Sequence, residues 1–329
     1  MKLFLTKTIY ISLPILVVAI FMEILLRNTP NDYSYKKEYL DKHSAQVETL
    51  ILGSSHSFYG FNPDSFCGKV FNASHISQSL NYDFKILKKY EDKFINLETI
   101  VLPISYFTLF SKLESGSESW RVKNYIIYYG LKSSRSLTDY SEILSNLSSI
   151  NIRRVISYYV LGNSAISCTN LGWGTSYNSK KARNLVDTGK TAAIRHTRDN
   201  INSYNNQKLF NENILILKLM IEWCRENNVK ILLLTPPAFE TYRKGLNIEQ
   251  LNITIETTSK IASKYDNCIY LNLLSDTSFY AKDFYDADHL SEIGAEKLSE
   301  LINSKINEWE LSTNAQQINQ ADAKNRAAY

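Results

Sequence analysis

Val47-Glu-Thr-Leu-Ile-Leu-Gly53-Ser-Ser-His-Ser57 is a short apolar run stopped by glycine and followed at once by hydroxyl side chains. A run bounded in this way has the form of a strand buried on both faces, the kind found in parallel sheets. Similar runs recur at Lys69 to Asn72, Thr99 to Pro103, Lys230 to Thr235 and Cys268 to Leu273. Helical patterns lie between them at Leu80 to Tyr90, Phe210 to Asn228 and Ile248 to Tyr265, and another, Ser291 to Leu311, follows the last. A polar helix-like stretch, Tyr35 to Lys42, precedes the first. Strand and helix alternate, so the sequence predicts an α/β fold with five parallel strands, doubly wound and covered on both faces. Ligands of such sheets bind beyond the carboxyl ends of the strands, which directs attention to the residues just after each run.

The third and fourth runs are more than a hundred residues apart, far more than one crossover helix needs. The intervening segment, about 106–207, is rich in tyrosine and serine and has helical patterns at Trp120 to Leu131 and Ile150 to Val160. It also contains the glycine-spaced Leu171-Gly-Trp-Gly174. We read it as a mainly helical insertion forming a lid over the site; the competing reading is an embellishment without ligand contact.

At the other end, Thr8 to Leu26 carries one side chain charged at neutral pH, Glu23. At 1.5 Å per residue it covers about 28 Å, close to a hydrocarbon core. Pro14 is tolerable in a membrane helix, and no small-x-small cleavage site follows. Residues 1–27 therefore read as an uncleaved, single-pass membrane anchor. A buried core helix is the alternative, although a soluble helix of this length normally shows a polar face. Lys2 and Lys7 before the span and Arg27, Lys36 and Lys37 after it leave the positive-inside count undecided. Residues 28–312 form the expected soluble domain, and 313–329 a polar tail expected to fray.

Composition narrows the classes further. The 329 residues are 44% hydrophobic, 12% aromatic and 21% charged, which excludes a disordered or fibrous chain. Thirty-seven basic against 33 acidic residues, scattered without a basic stripe, exclude nucleic acid as a partner. No segment repeats at a fixed period, so solenoids and propellers are excluded as well. Cys67, Cys168, Cys224 and Cys268 show no C-x-x-C spacing. Cys224 falls on the apolar stripe Leu217, Ile221, Cys224, and Cys268 opens a strand, so both read as free buried thiols or, in an exported domain, as candidates for bridges.

The serines after the first strand stand on a sharp strand-to-helix turn, where a hydroxyl can be a nucleophile if a base and an orienting carboxylate reach it. Of five histidines, His43 lies ahead of the sheet, His56 adjoins the serines, His75 follows the second strand and His196 falls in the insertion. His289 follows the last strand and precedes the terminal helix, with Asp286 three positions upstream, so one tight turn can carry an acid and its histidine.

Ile51-Leu-Gly-Ser-Ser-His-Ser57, with Asp286-Ala-Asp-His-Leu290, resembles the first and last blocks of the GDSL/SGNH hydrolase superfamily. The resemblance runs from about Val47 to Leu311 outside the insertion. It implies a flavodoxin-like sheet, Ser55 as nucleophile, His289 as base and Asp286 as the base's partner. The family's aspartate in the first block is Ser54 here, a variation associated with membrane-anchored members that act on cell-surface glycans. Phe71-Asn-Ala-Ser-His-Ile-Ser-Gln-Ser79 resembles the block whose glycine N–H helps form an oxyanion hole, a position held here by Ser77. The third block's asparagine is missing from Leu102-Pro-Ile-Ser-Tyr-Phe107, where Ser105 or Tyr106 can donate instead. The expected oxyanion donors are thus at Ser55, Ser77 and Ser105, while His56, Trp173 and His196 are candidates to face the substrate. Asp288 reads as solvated or helix-capping. A metal site from His56, His75, Asp286 and His289 lacks the usual short ligand spacings, and neither metal nor cofactor is expected.

The resemblance implies a membrane-anchored serine esterase or O-acyltransferase acting on an acyl ester, foremost acetyl, of a cell-envelope carbohydrate, with its catalytic domain outside the cytoplasm. The alternative is a non-catalytic glycan-binding or assembly protein of the same fold. An acylated carbohydrate and the membrane are the partners implied; no protein partner is.

Overall fold

The structure, a computed structural model, describes residues 1–132 and 136–327, with the side chains of all of these but residues 2, 5 and 313–327. Helix α1, Lys2–Arg27, includes the apolar segment Thr6–Arg27, long and apolar enough to cross a membrane and hardly buried by the rest of the chain. Helix α2, Asp32–His43, starts at a capping box in which Asn31 accepts the Ser34 N–H and Ser34 Oγ accepts the Asn31 N–H.

Strand β1, Thr49–Ile51, leads into the short helix α3, Ser55–Gly60. Strand β2, Val70–Asn72, helix α4, Leu80–Tyr90, and strand β3, Thr99–Pro103, follow. The long segment after β3 holds helices α5, Val122–Ile127, α6, Ser148–Val155, continued by a π-helical turn at Ile156–Val160, and α7, Leu185–His196. Helix α8, Tyr204–Glu226, opens six residues earlier than the apolar periodicity predicts because Ser203 caps it, accepting the Asn206 N–H. Strand β4, Lys230–Thr235, helices α9, Glu240–Arg243, and α10, Ile248–Ala262, and strand β5, Cys268–Asn272, complete the sheet. A small antiparallel pair, β6, Phe284–Asp286, and β7, His289–Leu290, precedes α11, Glu292–Ala327. Helix α11 runs well past Leu311, where the sequence pattern ends it, through the stretch expected to fray.

The five parallel strands are ordered β2-β1-β3-β4-β5. Successive strand residues face opposite sides, as the two-residue repeat of a strand requires. Leu50, Ile100, Leu102, Ile231 and Leu233 enter one core with Ile86 and Leu87 of α4 and Leu217 and Ile221 of α8. Ile51, Val101, Leu232 and Leu234 enter the other with Leu298, Ile302 and Ile306 of α11. Helices thus cover both faces. Edge strand β5 differs from the buried strand expected: only Cys268 is buried, and the strand ends exposed at Asn272. The four cysteines are free, with Cys224 and Cys268 buried.

The chain order reverses between β1 and β3, and at that switch point the ends of neighbouring strands diverge and leave a crevice. Gly53 makes the bend out of β1 at φ +114°, where a side chain is strained, and a Cβ there would collide with Ser57 Oγ. That bend places Ser54 and Ser55 at the crevice.

Candidate active site

Ser55 is the first residue of α3, and its Oγ lies 2.8 Å from His289 Nε2. The β6–β7 turn brings the histidine there: His289 Nδ1 donates to Asp286 Oδ1 at 2.9 Å, and the same oxygen accepts the His289 N–H at 2.9 Å and the Asp288 N–H at 3.2 Å. In the neutral ring, with Nδ1 carrying the proton toward Asp286, Nε2 accepts from the Ser55 hydroxyl; in the protonated ring both nitrogens donate, Nε2 to Ser55 Oγ. Hydroxyl, imidazole and carboxylate form one hydrogen-bonded line.

Asp288 departs from the solvated or capping role expected. It is buried, and its carboxylate lies 3.5 Å from His289 Nδ1, 3.5 Å from His56 Nε2, 3.4 Å from Arg195 Nη2 and 3.8 Å from His196 Nδ1. Arg195 donates to it in a long hydrogen bond, and the histidine separations are longer still, so Asp288 acts on the histidines chiefly through charge. Burial works against the charged form of His289, but the carboxylates of Asp288 and Asp286 more than offset it and push the histidine up to about 10. Burial likewise works against the Asp288 carboxylate, which His289 nevertheless holds well below the usual range. Burial pulls His196 down to about 3 against the attraction of Asp288, and lowers His56 as well. Among these three histidines, His289 is the one that keeps its proton near neutral pH.

The residues expected around this line divide. His196 lines the crevice, with Nδ1 2.8 Å from the Tyr242 hydroxyl. His56 is instead buried and outside the crevice lining: its Nδ1 lies 2.6 Å from Ser105 Oγ, and its ring meets that of His289 edge-on at 4.8 Å. Ser105, expected as an oxyanion donor, is not part of the crevice lining. Its hydroxyl is taken by His56 and its N–H by Thr108 Oγ1. Tyr106 also points elsewhere, to Thr197 and the Asn247 N–H.

Trp173 does not face the crevice either. Its Nε1 donates to the Tyr59 carbonyl at 2.9 Å, and the Leu171-Gly-Trp-Gly174 motif presses against the edge of β2, where the Asn72 N–H donates to the Leu171 carbonyl. Gly172, at φ +88°, permits that approach, since a Cβ would strike the Asn72 carbonyl. The glycines mark a backbone contact rather than a ligand contact.

Ser77 reaches the crevice with φ +60°, the left-handed conformation that favours glycine. Its hydroxyl donates to Glu118 Oε2 at 2.8 Å, which leaves its backbone N–H, with that of Ser55, as the candidate oxyanion donors. Beneath them, Asp83 accepts the Gly53 N–H at 2.7 Å, and burial raises its carboxyl to about 7.

The crevice holds about 430 Å³. Most of its wall comes from the long segment after β3, including Phe107, Lys112, Glu118, Tyr177, Arg195 and Arg198. Tyr177 is an unforeseen member. It stacks between Tyr59 at 3.7 Å and Tyr285 at 3.9 Å, with its ring plane nearly perpendicular to that of His289. Isolated tyrosines in a tyrosine-rich segment offer no signal for such a stack.

Metal-ligand spacing occurs among the described residues at His56, Asp288 and His289, whose candidate atoms lie within 4.8 Å of one another. A cation there would compete with the hydrogen bonds that His289 makes to Ser55 and Asp286. His75, weighed as a ligand from sequence, lies apart, stacked on Tyr33 and 3.0 Å from the Tyr129 hydroxyl.

These features define an α/β protein with a serine, a histidine and an aspartate in line at the switch point of its sheet. By the match of residues 135–303, the chain belongs to the family described as "Protein of unknown function (DUF1574)". The matched half includes much of the insertion, β4, β5 and the Asp286 to His289 turn, and begins after Ser55. No curated protein matches the chain. A solved protein from Streptococcus pneumonia, named provisionally as a platelet activating factor, is similar at 12% identity and a TM-score of 0.41, over 88% of this chain and 98% of its own.

Proposed function

We propose that the protein is a membrane-anchored serine esterase or O-acyltransferase of the SGNH type, acting on acyl esters, foremost acetyl, of a cell-envelope carbohydrate. The observation that carries this reading is the line from Ser55 Oγ through His289 to Asp286, at 2.8 and 2.9 Å, opening onto a crevice. Ser55 Oγ attacks the ester carbonyl while its proton passes to His289 Nε2. The N–H groups of Ser55 and Ser77 hold the oxygen on which charge develops. Collapse expels the alcohol, which takes the proton from His289, and leaves an acyl-Ser55 ester. Water or a sugar hydroxyl then attacks that ester, with His289 again taking the proton and giving it to Ser55 Oγ as the acyl–oxygen bond breaks, which restores the serine. Because the resting histidine is held protonated, the reactive form grows as pH rises toward about 10.

The carbohydrate assignment rests on the sequence resemblance and on the character of the crevice, in which serines, Gln78 and Arg195 alternate with Phe107 and Tyr177. Such a lining suits a ring that is polar at its rim and apolar on its face. The test is labelling of the full-length protein with a fluorophosphonate. An active hydrolase labels at Ser55, and the label disappears in Ser55→Ala. Absence of labelling across the pH range in folded protein would favour the non-catalytic glycan-binding reading. Hydrolysis and transfer are separated by a partition measurement with an activated acetyl ester and a panel of oligosaccharides; acetate alone with every acceptor assigns plain hydrolysis.

A further inference from the structure

We propose that the segment Ile143 to Leu161 lies on the lipid surface beside α1, with its exposed apolar side chains buried among headgroups and upper acyl chains. The proposal rests on reading α1 as a membrane span.

The first observation is position. The Glu23 carboxylate, near the end of α1, accepts the Ser141 hydroxyl at 2.8 Å and the N–H groups of Glu142 and Ile143 at 3.0 Å each. Arg27 donates to the Tyr140 carbonyl at 2.5 Å, and the Tyr159 hydroxyl donates to the Leu25 carbonyl at 3.0 Å. Both ends of the segment are therefore tied to the last turns of α1, the level at which a span leaves the hydrocarbon.

The second observation is a reversal of the usual burial. Polar groups face inward: Glu142 and Asn151 are buried, and the Asn151 amide donates to the Glu142 carbonyl. Apolar groups face outward, with Leu147 71% exposed and Val160 73% exposed, and Leu144, Ile152, Ile156 and Leu161 exposed beside them. Water alone does not favour a cluster of this kind on a soluble surface. The cluster continues onto exposed Ile20, Phe21 and Ile24 of α1, so whatever solvates the end of α1 also reaches the segment.

The third observation is the fringe. Tyr140 and Tyr159 stand at the border, where ring and hydroxyl suit a headgroup layer. Arg153 is exposed on α6 and can meet anionic lipid phosphates. The π-helical turn at Ile156–Val160 closes the segment. A second attachment of this kind limits rotation of the domain about its anchor and fixes how the crevice is presented to the membrane.

The test uses the full-length chain, with Cys67 and Cys168 replaced by serine, in vesicles of three parts phosphatidylcholine to one part phosphatidylglycerol. An environment-sensitive fluorophore is placed singly by Leu147→Cys, Val160→Cys, Val17→Cys or Glu256→Cys, and lipid-borne quenchers are carried either at the headgroup or deep in the chain. Val17 lies within α1, whereas Glu256 is exposed on α10, which packs against β5 at the opposite edge of the sheet from α2. The expected result is quenching at Leu147 and Val160 by the headgroup-level quencher about twofold stronger than at Glu256, with the deep quencher acting most on Val17. Quenching at Val17 without quenching at Leu147 and Val160 overturns the proposal and leaves the anchor standing. Lack of quenching at Val17 overturns the anchor, and the proposal with it. A protein-concentration-dependent blue shift at Leu147 that ignores lipid quenchers assigns the face to a second copy of the chain and likewise overturns the proposal.

Discussion

Asp286 and Asp288 flank one turn and treat the same imidazole differently. Asp286 makes the short hydrogen bond that orients His289, while Asp288, farther away, adds charge. Removing only the charge separates the two effects. Asp288→Asn should move the rising limb of the pH–rate profile to lower pH by about one to three units, since the protonated histidine loses an opposing charge. An unshifted limb in folded protein would remove Asp288 from the account. Ser55→Ala should reduce ester cleavage by about a thousandfold or more with the fold kept. Ser54→Ala should be much milder, because Ser54 lines the crevice without contacting His289 in the hydrogen-bonded line. Equal losses in the two variants would move the nucleophile. At this scale the sequence shows Ser55, Asp286 and His289 at strand ends, whereas the Ser105 to His56 contact joins residues 49 positions apart and has no local signature.

Among the elements, α5 and α6 meet over a buried carboxylate. Glu142 accepts from Lys123 and, at 2.6 Å, from Arg154, while the Tyr128 hydroxyl donates to it at 2.7 Å. Such a group is costly to desolvate and more costly to unpair. Glu142→Ala should destabilise the protein by about 3–5 kcal/mol by leaving Lys123 buried without its partner; urea unfolding followed by tryptophan fluorescence reads the loss. A change near zero would mean that solvent already reaches the cluster. Long periodic helices such as α4 are legible in sequence from first residue to last. The β6–β7 pair is too short to show a period, and α7, interrupted by Gly189, is not among the helical patterns read from the sequence.

For the molecule as a whole, the segment after β3 is both wall and core. Leu109, Phe110, Leu113, Tyr125, Tyr129 and Ile201 belong to the same cluster as the strand residues on one sheet face. Deleting 106–207 should therefore abolish cooperative unfolding rather than yield a trimmed domain, a result that circular dichroism during heating would show. Residues 28–312 alone should fold and stay soluble without detergent, because α1 contributes little beyond Leu26 to the buried interior. Aggregation of that fragment at low concentration, or loss of its folded signal, would mean that α1 does more than anchor. With the exposed Ile143 to Leu161 face retained, the fragment should still float weakly with anionic vesicles.

The sequence by itself determined the five strands of the parallel sheet, the doubly wound layering and the placement of Ser55 at the turn after the first strand, because strand runs, helix periods and the glycine stop at Gly53 are local consequences of which side chains avoid water. Tertiary structure alone decided the electrostatics and the walls of the site. It buried Asp288 among His56, His196 and His289, turned Ser105 away from the crevice and toward His56, and pressed Trp173 against α3. Charge compensation and packing act through space between groups far apart in the chain, and a spacing pattern carries no record of which distant partner arrives.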